Sequence, residues 1–326
     1  MLEQKIFSRF PQSSSTSLSQ LASALYQDQQ QRWQMLAEGV NSLAGIRNKT
    51  MKCRTFEVIL QCNPKRIVST GAKVDPASIK ERKCFLCVHH LPAEQQGVLY
   101  REKFLVLCNP MPIFKEHFTI SHIEHIPQSV EEQIVPFLEL AEDFSASHTI
   151  FYNGPKCGAS APDHMHFQAS PKNSIPVETD AASSDRKIFH RQVGDVKIFS
   201  LATYGRSVIV LESVNKQHME FTFLRLTSAM RNIMKSDDEP MMNALCSFTD
   251  RCWRMIVFPR AKHRPNVYFK EGEEKILISP AAVDIGGLVI TPVEKDFYRV
   301  DAPMIEHIFD EVSIPSHTLE HIINVL

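Results

Sequence analysis

Apolar positions between residues 16 and 47, among them Leu18, Leu21, Leu25, Trp33, Leu36 and Leu43, recur at roughly helical spacing and predict one or two amphipathic helices after a Ser-rich turn. The rhythm then changes. Residues 56–61 alternate as a strand does, and residues 98–100, 104–108 and 117–122 read as short strands separated by a charged turn and a Pro-rich loop. Ser129 with Glu132 has capping-box spacing, and Ile134, Phe137, Leu138 and Leu140 give the helix behind it an apolar side. Residues 149–152 return to strand. Between 169 and 187 the composition shifts to Pro, Asn, Ser, Thr and Asp, the best linker candidate in the chain. Beyond it, strand-like segments within 197–211, a helical pattern over 221–234 and an apolar strand at 253–259 repeat the element types of the first half. The pattern predicts an α+β chain in two parts, residues 1–170 and 188–326, joined by a linker at 171–187.

Composition narrows the partners. With 36 basic and 37 acidic side chains the net charge is close to zero, so nothing predicts a general nucleic-acid or membrane-surface binder, and any anion site must be local. A chain of 326 residues that is 43% hydrophobic can bury a large core without disulfide staples. The eight cysteines are scattered apart from one pair, no stretch approaches the ~20 apolar residues of a membrane span, and the N-terminus lacks an apolar run behind a basic one. These features predict a reducing cytoplasm, with thiols free or metal-bound.

The candidate chemistry concentrates in Asp163-His164-Met165-His166-Phe167-Gln168, where alternation along an extended strand would put His164, His166 and Gln168 on one face. Two imidazoles and an amide suit holding a metal, attacking a phosphorus and hydrogen-bonding the oxygens that enter or leave. Directly upstream, residues 153–162 form a small-residue loop in which Asn153, Gly158, Ser160 and backbone amides can cradle a phosphate. Cys84-x-x-Cys87 spaces two thiolates to grip one metal ion, although buried structural thiols or a redox pair fit the same spacing, and His89 and His90 lie close enough to compete as ligands. At the end of the apolar strand, Arg260, Lys262, His263 and Arg264 gather basic groups that suit a polyphosphate or sugar phosphate. A solvent-facing basic turn is the ordinary alternative.

Taken in order, the Asn, the loop with Gly and Ser, and His-x-His-x-Gln resemble the active-site segment of the galactose-1-phosphate uridylyltransferase branch of the histidine triad superfamily, which includes the diadenosine tetraphosphate phosphorylases. Cys84-Phe85-Leu86-Cys87, Pro92-Ala93-Glu94 and residues 104–112 and 117–127 follow the same order, so the similarity covers most of residues 50–170. Residues 243–287, with Pro259-Arg260, Ala282, Asp284, Gly286 and Gly287, resemble the carboxy-terminal part of the phosphorylases. The resemblance implies two histidine-triad-like units in one chain, each an antiparallel sheet with packed helices, the second without the motif.

It also implies His166 as nucleophile, assisted by Gln168 and Ser160, and a structural zinc on Cys84, Cys87, His125 and His164, with His117 and His122 close enough in sequence to stand in place of His125. Lys65 and Arg66 become nucleotide-phosphate contacts, with a solvated pair of loop charges as the ordinary alternative, and a homodimer is expected. The implied reaction is nucleotidyl transfer or phosphorolysis on an NDP-sugar or dinucleoside polyphosphate, through a nucleotidyl-histidine that phosphate or a sugar phosphate resolves. A hydrolase using water, or a catalytically silent zinc-stabilised nucleotide-binding protein, are the alternatives. Met165 and Phe167 depart from the family pattern of a small residue between the histidines and glycine before glutamine, and should point to the opposite sheet face.

Overall fold

The protein is described from a computed structural model covering residues 2–12 and 15–326. Ser17 opens the first helix, Leu18–Arg32, as a capping box: its side chain accepts from the Gln20 N–H, and the Gln20 side chain returns to the Ser17 N–H. A second helix, Gln34–Ser42, follows directly after Trp33. The Ser129 capping box does not form. The helix there begins at Ile134, and the N–H groups of Val130 and Glu131 are taken instead by the buried Glu239 carboxylate, a partner distant in sequence.

Fourteen strands are present among the described residues: β1 (Ile6–Phe10), β2 (Arg47–Lys52), β3 (Glu57–Cys62), β4 (Gly97–Tyr100), β5 (Phe104–Cys108), β6 (Phe118–His122), β7 (His148–Asn153), β8 (His166–Pro171), β9 (Lys187–Val193), β10 (Val196–Leu201), β11 (Ile209–Ser213), β12 (Met242–Thr249), β13 (Cys252–Pro259) and β14 (Leu288–Thr291). Eleven form one sheet in the order β1-β4-β5-β6-β8-β7-β12-β13-β11-β10-β9, and β14-β3-β2 form a second. Read outward from the antiparallel β7–β12 seam, the two halves of the large sheet have the same plan. In the first, β4, β5 and β6 lead through the helix Ile134–Asp143 to β7 and β8; in the second, β9, β10 and β11 lead through the helix Lys216–Met234 to β12 and β13. In each half the last strand inserts beside the third, so the chain is an α+β fold of two like units.

Strand alternation divides the core between the two faces of the large sheet. One face carries Phe118, Ile150, Phe167, Ala169, Met255 and Val257 against the long helices of both units. The other carries Phe151, Val210, Leu245, Ile256 and Phe258 toward the small sheet and the C-terminal helices. Met165 and Phe167 belong to the helical face and are fully buried, with Phe167 stacked on Phe137 at 4.9 Å between ring centroids. The bulk that departs from the family pattern thus goes into packing.

The segment expected as a linker, 171–187, connects the units but is packed rather than free. Its helix Pro176–Ala182 buries Val177 and Ala181 in the core, and the Val177 N–H donates to the Gly286 carbonyl. No helix among the described residues is long and apolar enough to cross a membrane.

Candidate active site

β8 begins at His166, and His164 lies in the bend before it rather than in the strand. That bend puts the two imidazoles to separate uses. His166 is 4% exposed, and its backbone is clamped by Gln128, whose oxygen accepts the His166 N–H at 2.8 Å while its amide donates to the carbonyls of His166 and Asn153, each at 3.0 Å. The His166 Nδ1–H donates to the His164 carbonyl at 2.8 Å, which leaves Nε2 with a lone pair. Burial pushes this imidazole down to about 4, so at neutral pH the ring is uncharged.

His166 lines a cavity of about 670 Å³ whose wall also includes Asn153, Gly158, Ser160 and Gln168 from the first unit and Arg264, Ala281 and Asp284 from the carboxy-terminal segment. Gly158 adopts φ +94°, and a Cβ there would lie 2.6 Å from that of Ala281, so only glycine lets the loop close against the second unit. Two carboxamides lie beside His166 in the cavity wall. The Asn153 oxygen accepts from Asn243 Nδ2 at 2.9 Å and from the Ala282 N–H at 2.7 Å. The Gln168 oxygen lies 3.0 Å from His117 Nε2.

His164 turns away from the cavity. Its Nε2–H donates to the His122 carbonyl at 2.8 Å, with Ser121 Oγ at 3.1 Å, and Nδ1 is thereby left to accept or to ligate. Nδ1 lies 3.3 Å from Cys84 Sγ and 3.6 Å from Cys87 Sγ, while His125 Nδ1 is 3.1 Å from Cys87 Sγ. All four ligand atoms fall within 4.8 Å of one another. A tetrahedral site with bonds near 2.3 Å to sulfur and 2.0 Å to nitrogen has sulfur–nitrogen edges of about 3.5 Å, so the two thiols and two imidazoles fit a metal ion. Asp163 stands behind His125, 3.7 Å from its Nε2, and is itself paired with Arg82. His89 and His90 form a second, smaller grouping with Cys87 only.

The basic candidates divide. Arg66, His263 and Arg264 line the cavity, whereas Arg260, Lys262 and Lys65 do not. Arg260 is fully buried, and its five N–H donors are consumed by the carbonyls of Val312, Pro280, Lys262 and His263 and by Asn243 Oδ1. It has none left for a ligand, which corrects its expected role as a substrate contact. Lys262 is likewise turned aside, bonded to Glu311 at 2.5 Å and to Asn266 at 2.8 Å, and Lys65 is an exposed group of the 64–66 turn. Sequence reasoning missed Gln128, Asn243 and the role of His117. Nothing near them in sequence marks them, because each meets the site across strands or turns whose pairing only the fold sets.

Residues 25–171 match a family described as a domain of unknown function, DUF4922, and residues 178–326 match one described as GDPGP1-like, C-terminal domain. The chain is 25% identical over 213 residues to a galactose-1-phosphate uridylyltransferase of Caldanaerobacter subterraneus subsp. tengcongensis, a match covering 60% of this chain and 38% of that protein. The crystal structure of yeast Ap4A phosphorylase Apa2 in complex with AMP shares the fold, with a TM-score of 0.56 and 13% identity over 86% of this chain and 96% of that one. The same enzyme in complex with Ap4A gives a TM-score of 0.53 at 12% identity, over 87% and 97% of the two chains. The chain thus shares the fold of Ap4A phosphorylase and is similar in sequence to a galactose-1-phosphate uridylyltransferase. The chain carries the His-x-His-x-Gln motif once: β13, which occupies the place of β8 in the second unit, reads Cys-Trp-Arg-Met-Ile-Val-Phe-Pro and has no histidine.

Proposed function

We propose that the protein is a nucleotidyltransferase or phosphorylase acting on an NDP-sugar or a dinucleoside polyphosphate. The observation that carries this reading is His166, neutral, tautomerically fixed with Nε2 unprotonated, and set in the wall of a nucleotide-sized cavity. The Nε2 lone pair attacks the α-phosphorus; the bond from phosphorus to the bridging oxygen breaks, and its electron pair leaves on that oxygen as part of a sugar phosphate or, from a dinucleoside polyphosphate, of a nucleoside polyphosphate. An oxygen of phosphate or of a sugar phosphate then attacks the same phosphorus, the P–N bond breaks, and His166 is returned. The charge that builds on the non-bridging oxygens meets the Gln168 and Asn153 amides, the Ser160 hydroxyl and the loop amides near Gly158. Arg66, His263 and Arg264 face the phosphates farther from His166, and the names of the related uridylyltransferase and Ap4A phosphorylase support such ligands.

Cys84, Cys87, His125 and His164 would hold zinc. Filled by four protein ligands, such an ion serves structure, with no open position for substrate. The same residue that ligates it offers the carbonyl that holds His166, so the metal knot and the nucleophile share one turn of chain.

The test is intact-protein mass after brief incubation with UDP-glucose, GDP-glucose, ADP-glucose or diadenosine tetraphosphate, quenched at neutral to alkaline pH to preserve a phosphoramidate. Wild type should gain the mass of one nucleoside monophosphate with at least one donor. His166→Ala should gain none and lose turnover by on the order of a thousandfold or more while still binding nucleotide. Wild type that binds nucleotide but forms no adduct with any donor would establish the silent binding protein instead. Release of nucleoside monophosphate without an acceptor would establish the hydrolase.

A further inference from the structure

Gln168 follows His166 by two positions on the same face of β8, and a carboxamide there can present either its oxygen or its NH2 group to a phosphoryl centre. The two choices are opposite in effect. An NH2 group stabilises oxygens that gain negative charge, whereas a carbonyl oxygen repels them. What decides between them lies one strand away.

Thr119 on β6 pairs with Gln168, so His117, two positions before Thr119, is a diagonal neighbour on the same face. The His117 ring is buried, with the Phe114 and Phe151 rings at 5.9 and 6.0 Å between centroids. The Ile113 backbone N–H donates to its Nδ1 at 3.2 Å. A backbone N–H cannot reverse its polarity, so Nδ1 must accept, and a neutral ring then carries its single proton on Nε2. Nε2 lies 3.0 Å from Gln168 Oε1, which becomes the acceptor. No hydrogen bond of the described residues uses the Gln168 NH2 group, and Gln168 lines the cavity beside His166.

We infer that His117 is a positioning residue that locks Gln168 with its NH2 group toward the oxygens of the phosphorus attacked by His166. The lock works only while His117 is uncharged, since an imidazolium could not accept from Ile113. Burial, reinforced by the nearby Arg66 guanidinium, holds the ring down to about 3 and so keeps it neutral. Asn153 receives parallel treatment from Asn243 and Ala282, which engage its oxygen as well. Both amides at the site therefore present donors, the polarity required by an anionic phosphoryl group. The inference rests on the nucleotidyl-transfer reading above.

Two measurements on the full-length protein test it. Long-range proton–nitrogen correlation NMR on imidazole-labelled, ligand-free protein at pH 7 should show His117 as the Nε2–H tautomer; an Nδ1–H tautomer or an imidazolium overturns the inference without touching the role of His166. The second is the single-turnover rate of nucleotidyl-His166 formation, using the two α-phosphorothioate diastereomers of whichever donor labels wild type. His117→Ala should slow the step on the order of 10- to 100-fold at unchanged nucleotide affinity and reduce the preference between diastereomers. His117→Gln, which keeps a donor near the position of Nε2, should recover part of the loss. The His117→Ala/Gln168→Ala double variant should be no slower than Gln168→Ala, because His117 acts through Gln168. Additive losses, or a slower His117→Ala with unchanged diastereomer preference, would reduce His117 to a packing residue. If wild type labels and His117→Ala labels equally fast, this inference alone fails; if wild type never labels, the nucleotidyl-transfer reading fails and this one with it.

Discussion

Buried polar side chains around His166 act by exhausting one another's hydrogen-bonding capacity, and what each has left over defines the chemistry. Arg260 is the extreme case: its five donors are all spent on protein acceptors, so its charge supports the loop and Asn243 rather than a ligand. Arg260→Met should lower stability by about 3–5 kcal/mol in denaturant unfolding, because it strands buried acceptors. Lys65→Ala and Lys262→Ala, by contrast, should leave nucleotide affinity by calorimetry within about twofold of wild type, as surface changes usually do. All four basic residues at 260–264 looked alike in the sequence. A residue type states how many donors a side chain owns, and only its neighbours state how many remain.

Elements are tied to the site by two devices outside the strands themselves. The first is the Cys84, Cys87, His125 and His164 cluster, which draws the 84–87 loop, the turn after β6 and the bend before β8 to one point. Cys84→Ser should abolish stoichiometric zinc in elemental analysis. It should also lower the melting temperature by roughly 5–10 °C, taking about 2 °C for each of the few kcal/mol of ligation lost. Nucleotidylation of His166 should fall with it, since His164 holds that ring.

The second device is Glu239, which receives the Tyr152 hydroxyl at 2.5 Å and the Val130 N–H at 2.7 Å and so joins β7 to the turn ahead of the helix Ile134–Asp143. Burial, opposed by those hydrogen bonds, pushes its carboxyl up from 4.5 to about 7. Its folded-state value is raised, so its contribution to stability is full below about 4.5 and is lost as pH rises through about 7, a change of roughly 3 kcal/mol. Unfolding of Glu239→Gln measured from pH 4.5 to 8 should lack that part of the wild-type decline.

Across the molecule, the two units share one sheet and one helical-face core that runs from Leu18 to Leu326. The second unit has no motif histidine on β13 but contributes Asn243, Ala282, Arg264 and the wall against which Gly158 closes. Fragments 1–187 and 188–326 expressed separately should therefore fail to give the cooperative melt of the whole chain by circular dichroism, since cutting between them exposes the β7 and β12 edges and the apolar residues behind them. Two independent native-like melts would show that the seam is dispensable.

Local pattern was enough to place most strands, the paired N-terminal helices and the helix over 221–234, because periods of 2 and 3.6 are written directly in the order of apolar residues. The same order put Met165 and Phe167 on one face of β8, with His166 and Gln168 on the other. Spacing also raised Cys84 and Cys87 as a metal pair, since a two-residue gap is a short-range constraint. What lay beyond sequence was register and polarity: that Asn243 meets Asn153 across the seam, that His117 sits diagonal to Gln168, and that Glu239 displaces the Ser129 cap. Those facts depend on which strands pair and which side chains are left without water, and they are decided by tertiary contacts among residues about 50 to 110 positions apart. Residue order sets which groups the protein owns, and strand pairing and burial set which of them remain free to act.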